Sequence, residues 1–183
     1  PYNWLACDEA ELLAGQMSPN SSYQSNLMFG VQWDLVCKFL ENKSGLTEND
    51  IISDSTNWGN YSNSKIEKIT EGKYSIVNSD TMKEGEWKKI EGEDSKDNSG
   101  TESKVLLSTG ASEYTKRMNI YDFAGNEWEW TLEKTPYVNF PCTSRGGNFS
   151  NSGEKKPAAS YNNNSSINAG YTGIGFRVTI YEK

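Results

Sequence analysis

Helical periodicity fills the opening of this chain and then stops, and that change restricts the fold more than any other feature. Residues 3–17 read as a helix, because Ala6, Ala10, Leu13 and Met17 recur at spacings of four, three and four and line one face. After a polar loop over residues 18–26, a second helix is predicted from Met28 to Glu41, with Phe29, Trp33, Val36 and Leu40 as its apolar stripe. From Leu46 onward, short segments alternate with turn residues. KYSIVN (73–78) reads as a strand, 105–108 and 117–121 as short apolar segments, and 84–104 as a solvated surface insertion. Gly175 to Tyr181 alternates as a strand should, with Phe176, Val178 and Ile180 set against Arg177, Thr179 and Tyr181. Two amphipathic helices must bury their stripes, and a shared sheet is the economical partner. The expectation is an α+β domain with two N-terminal helices, irregular antiparallel β-structure and long loops.

A length of 183 residues fits one domain spanning 1–183. Six Trp and ten Tyr argue for a packed core despite a mean hydropathy of -0.77. The chain opens close to a helix, which reads as the C-terminal part of a longer protein. A net charge of -7 disfavours nucleic acid as a partner, because an acidic surface repels phosphates. No apolar run approaches the roughly 18 residues of a membrane span, so membrane insertion is not expected. The chain has no His, which excludes serine–histidine and cysteine–histidine catalysis. Cys7, Cys37 and Cys142 are odd in number and lack metal-site spacing; they read as small buried apolar residues.

The densest motif is Asn119 to Thr131, NIYDFAGNEWEWT. Trp128 and Trp130 lie two apart, so in a strand both face one side and build core. Gly125 permits a tight turn with positive φ. Asp122 and Glu129 bracket that turn, and two carboxylates converging with turn carbonyls make the oxygen cage that calcium prefers. The alternative is that both carboxylates cap backbone amides without a metal.

This segment resembles the signature of the formylglycine-generating enzyme (sulfatase-modifying factor) family through Tyr121, Asp122, Gly125, Asn126, Trp128, Glu129, Trp130 and Thr131. Three further pieces fall in the family's order. LMFGVQWD (27–34) is similar to its helix start in Leu27, Trp33 and Asp34; Trp58-Gly59-Asn60 matches its WGN turn; Arg145-Gly146-Gly147 and Gly175-Phe176-Arg177 match its terminal pair. Residues 61–104 are unmatched. The resemblance implies a variant of the C-type lectin fold. It also implies calcium at the Asp122 side chain, the Gly125 and Glu127 carbonyls and the Glu129 side chain.

One departure decides the expected activity. In the family, two cysteines following the RGG bind copper and oxidise a substrate cysteine. Here those positions align with Asn151 and Lys156, and no other Cys or His lies nearby. Without thiolates copper has no soft ligands, so neither copper nor enzymatic activity is expected. Six Asn and five Ser stand between Asn148 and Asn168. With Tyr161 and Tyr171 they resemble the adaptable chemistry of antibody loops. A similar bias marks the variable proteins of diversity-generating retroelements, and close relatives of the motif occur in phage tail and prophage proteins. The other account of the bias is low-GC codon usage, which also explains weak sequons at Asn20, Asn42, Asn60, Asn148 and Asn164.

The expected function is therefore a non-catalytic ligand- or receptor-binding domain, such as a phage or prophage receptor-binding protein, an adhesin or a diversified variable protein. Its contact face is placed on residues 148–171, with Asn148, Asn151, Tyr161, Asn162, Asn163, Asn164, Asn168 and Tyr171 as contacts. The partner would be a cell-surface protein or glycan receptor, the location a virion, the cell surface or the extracellular space, and an oligomer is compatible with this. Calcium-mediated sugar binding is not expected, because the EPN- or QPD-type motif is absent. The alternatives are a structural virion or tail decoration domain, and an enzyme of the same superfamily using Asp122 and Glu129 as acid and base.

Overall fold

The structure is a computed structural model, and it describes residues 2–18, 20–69, 71–78, 81, 83–89, 94–97, 103–138, 142–164 and 171–183. It is mixed α+β. Helix α1 (Cys7–Gly15) leads into strand β1 (Tyr23–Leu27), helix α2 (Gly30–Lys43) and the short helix α3 (Glu48–Ile52). Strands β2 (Lys65–Ile69), β3 (Lys73–Asn78), β4 (Lys83–Glu84), β5 (Lys88–Lys89), β6 (Asp94–Asp97) and β7 (Ser103–Leu107) follow. A 3-10 turn (Glu113–Thr115) precedes β8 (Lys116–Arg117), β9 (Ile120–Tyr121), β10 (Trp128–Lys134), β11 (Cys142–Arg145), β12 (Tyr161–Asn164), β13 (Ile174–Phe176) and β14 (Val178–Glu182).

The site-bearing sheet has the order β12-β11-β10-β13, with β10 antiparallel to β11 and parallel to β13. Both α1 and α2 contact β10. Trp128 and Trp130 are buried together with Cys7, Ala10, Ala14, Leu27 and Cys142, as their two-residue spacing requires. On α2, Trp33, Cys37 and Leu40 enter a second core with Trp58, Tyr61 and Phe123, and the Trp33 and Phe123 rings stack at 4.0 Å.

Several sequence expectations need correction. The buried stripe of α1 is Cys7, Ala10 and Ala14; the helix ends at Gly15, so Met17 lies beyond it and is exposed. Phe29 is the residue before α2 and is also exposed, outside the stripe. The supposed polar loop 18–26 contains β1, which pairs antiparallel with β14 and buries Ser25 and Leu27. A partner strand from the far end of the chain supplies that ladder, and no local signal announces it. The supposed surface insertion carries backbone pairing too: β4 and β5 pair with β3, β6 pairs with β2, and β7, which starts at Ser103, pairs with β3. The terminal strand breaks at Arg177. β13 joins β10 before the break and β14 joins β1 after it, so Ile180 leaves the core and is exposed.

The WGN turn and the central motif dock on each other. Asn60 Nδ2 donates to the Val105 carbonyl and to Asn126 Oδ1, at 2.9 and 2.8 Å. Asn126 pairs through its amide with both backbone groups of Leu107 at 3.0 Å. Gly125 has φ +70°, and a side-chain carbon there would collide with the Asn60 carbonyl. Two buried amides and one glycine thus hold three distant segments together, the amides bonding to backbone and to each other.

Candidate ligand-binding face

Among the described residues of 148–171, a partly buried loop precedes an exposed edge. Asn148 is buried; its Oδ1 accepts from the Ser150 amide and hydroxyl, its Nδ2 donates to the Gly173 carbonyl, and its own amide donates to Asn151 Oδ1. The Asn151 carbonyl accepts from Ser62 N at 2.8 Å, and the Gly153 amide donates to Asn63 Oδ1. Phe149 and Ala158 are fully buried. The expectation that this whole stretch is surface loop is therefore corrected for Asn148, Phe149, Gly153, Pro157 and Ala158, which are buried, while Glu154 and Lys155 are exposed. Short Asx side chains can close turns on their own backbone, and here they attach the loop to the scaffold.

The exposed part begins at β12, which pairs antiparallel with β11 at the end of the sheet, Tyr161 opposite Arg145 and Asn162 opposite Ser144. The ladder has buried β11 behind it. Tyr161 is 59% exposed and stands between two open hollows. One, of about 440 Å³, is lined by Ile52, Lys156, Pro157, Ala159 and Ser160; the other, of about 460 Å³, by Glu133 to Tyr137 and Thr143. Asn162 is half-buried. Tyr171 is exposed, and its carbonyl accepts from Trp4 N and Ile174 N. Asn168 and the side chains of Asn163 and Asn164 lie outside the described residues.

The turn expected to hold calcium is internally bonded. Asp122 is buried; its Oδ1 accepts from the Thr115 hydroxyl at 2.7 Å and its Oδ2 from the Gly110 amide at 2.9 Å. Both oxygens of Glu129 accept from Arg177, through Nε and, at 2.6 Å, through Nη2. The same Nη2 reaches the Tyr121 and Asp122 carbonyls at 3.3 Å, and the guanidinium lies 5.2 Å from the Phe123 ring centroid. The Gly125 carbonyl accepts from the Glu127 amide. A guanidinium therefore stands among these oxygens, and the two carboxylates do not fit a calcium cage in this arrangement. Among the described residues no group of three or more His, Cys, Asp or Glu could hold a metal ion. Burial pushes both carboxyls up, while Thr115 and Gly110 draw Asp122 down and Arg177 draws Glu129 down.

Glu127 behaves differently. Its side chain is buried, and Oε1 has no hydrogen-bond partner among the described residues. Burial pushes its carboxyl up to about 8, so at neutral pH it is largely protonated. The three thiols are all buried. Burial raises Cys37 to about 12 and drives Cys7, beside Cys142, well above the usual thiol range. Such thiols are poor nucleophiles and poor metal ligands.

Comparison of the chain with protein-family models, with curated proteins and with solved structures finds no match. No helix among the described residues is long and apolar enough to cross a membrane. Arg177, the partner of Glu129, was not among the residues expected at the turn. The signal for it is the GFR triplet, which matches the family's terminal pair.

Proposed function

We propose that this chain is a non-catalytic binding domain of the C-type-lectin-like kind found in the formylglycine-generating enzyme family, and that it recognises a receptor through the edge centred on Tyr161. The observation that carries this reading is the setting of Tyr161: an exposed aromatic on a paired strand, with an open hollow on each side and a buried strand behind it. Rigid scaffolds presenting aromatic anchors with adaptable polar neighbours are suited to recognition, because a tyrosine loses little conformational entropy on binding. Asn162, Asn163, Asn164, Asn168 and Tyr171 complete the proposed contact set, and Asn148 and Asn151 support it from within. Three features favour binding over catalysis: the sequence lacks His, its thiols are buried, and Asp122 and Glu129 have hydrogen-bond partners on both oxygens. In this reading Arg177 replaces calcium at the turn. The setting is a virion or a cell surface, with a protein or glycan receptor as partner.

The test is adhesion of the purified domain to candidate host cells. Tyr161→Ala should abolish adhesion while changing stability by no more than roughly 0.5 kcal/mol, as at an ordinary surface site. Unchanged adhesion of that variant rejects the face.

A second reading, a decoration domain that packs against neighbours, is favoured by Val31, Leu35 and Phe39. They form an apolar stripe on the outer face of α2 and are 66%, 63% and 43% exposed. Sedimentation distinguishes the two: a concentration-dependent oligomer that Leu35→Asp dissociates would support the packing role.

A further inference from the structure

A second recess lies where the N-terminal segment meets the sheet of β3. It encloses about 330 Å³ and is lined by Asn3, Lys73, Glu84, Trp87 and Ser108. These residues come from distant parts of the chain. Asn3 precedes α1, Lys73 opens β3, Glu84 and Trp87 flank the β4–β5 turn, and Ser108 follows β7. Their arrangement is fixed by mutual contacts. Asn3 Nδ2 donates to Glu84 Oε1, Trp87 Nε1 donates to Glu84 Oε2 at 2.9 Å, and the Lys73 amide donates to Ser108 Oγ at 2.9 Å. Trp87 also packs on the buried cluster of Val77, Leu106 and Phe149, so it is anchored in the core and also borders the recess. The N-terminal segment is itself tied down: Trp130 Nε1 donates to the Leu5 carbonyl at 3.0 Å.

The unused hydrogen-bonding capacity of this lining is mixed. Lys73 offers ammonium donors, and Ser108 Oγ, accepting from backbone, retains its own proton to donate. Asn3 retains a carbonyl oxygen, and each oxygen of Glu84 accepts one bond from the lining and has a lone pair left. The lining includes both a lysine and a glutamate, so a small anion meets Glu84 and a small cation meets Lys73. A ligand that both donates and accepts at closely spaced points, and has an apolar face for an indole, satisfies all of these at once. Hydroxyls do the former and ring C–H groups the latter.

We propose that this recess binds a neutral pyranose sugar, its ring set against Trp87 and its hydroxyls on Glu84, Lys73, Asn3 and Ser108, without calcium. The site is separate from the Tyr161 edge and does not depend on it.

Saturation-transfer NMR on the whole chain in chelator tests this with four probes: the methyl glycosides of glucose, galactose, mannose and N-acetylglucosamine. Inorganic phosphate and ethanolamine serve as charged probes, followed by competition and titration. At least one glycoside should bind, on the order of millimolar, since one ring makes few contacts after the cost of association. Lys73→Ala, at an exposed position, should weaken it about tenfold, as loss of a charged hydrogen bond predicts. Trp87→Ala should abolish it. Trp87→Phe retains a ring for stacking and should retain measurable binding, which separates loss of the site from loss of the fold. The proposal is overturned if no glycoside gives transfer, if phosphate or ethanolamine binds instead, or if the signal survives Lys73→Ala undiminished. Loss of the signal in Tyr161→Ala with retention in Trp87→Ala would also overturn it, and would place the sugar on the other face.

Discussion

Removing the Arg177 guanidinium should cost this protein a large part of its stability, and removing Glu129 with it should restore most of that loss. The two side chains form a two-point pair in which Glu129 is 11% and Arg177 24% exposed. Arg177→Met keeps much of the volume but leaves Glu129 buried without its cation and leaves the Tyr121 and Asp122 carbonyls without their shared donor. Breaking a buried pair from one side costs roughly 3–5 kcal/mol. Because a quarter of the arginine reaches solvent, the lower end, about 3 kcal/mol, is expected, equivalent to roughly 6–12 °C in Tm for a chain of this size. Glu129→Gln should cost a similar amount. The double variant removes the uncompensated charge, and replacing a whole buried pair is often close to neutral, so it should lie well above the sum of the singles. Urea unfolding of the four proteins, followed by tryptophan fluorescence and compared by midpoint at constant slope, measures the coupling. Additive losses, or a single-variant loss below about 1 kcal/mol, would refute the reasoning and remove Arg177 from its role as the cation of the turn.

Glu127 should make stability fall as pH rises: its folded value of about 8 lies above its ordinary 4.5, so the folded state holds the extra proton. The contribution is complete below about 4.5 and is lost towards 8, and Glu127→Gln should flatten unfolding curves over that window; an unchanged pH slope would contradict the assignment. Asn148→Ala should cost roughly 1–3 kcal/mol, because it leaves buried partners unsatisfied, and a stability within error of the parent would mean the loop is not held this way. Chelator and added calcium should leave the melting temperature unchanged, and a rise with calcium would place an ion at the turn. A sulfatase-type peptide should remain unconverted with or without copper; aldehyde above a protein-free control counts against a purely binding role.

Features whose physics is local were legible from the amino-acid order alone. Trp128 and Trp130 share a face because a strand alternates, and Trp33 and Leu40 are buried because a helix repeats. The aromatic content required a core, and the absence of His removed whole classes of chemistry whatever the fold. Whatever depends on a partner far along the chain took shape only in the folded molecule. Strand β1 exists because β14 lies beside it, a pairing across some hundred and fifty residues that no window of sequence contains. Asn148 and Tyr161 come from the same polar, turn-rich stretch. One is buried by Gly173 and Asn151 and the other stands between two hollows, because burial is a property of the neighbours. Asp122 and Glu129 had the composition of a cation site, and only the fold could bring Arg177 onto the Glu129 carboxylate and the Asp122 carbonyl. Coulomb attraction does not distinguish a guanidinium from a metal ion until geometry places one of them there.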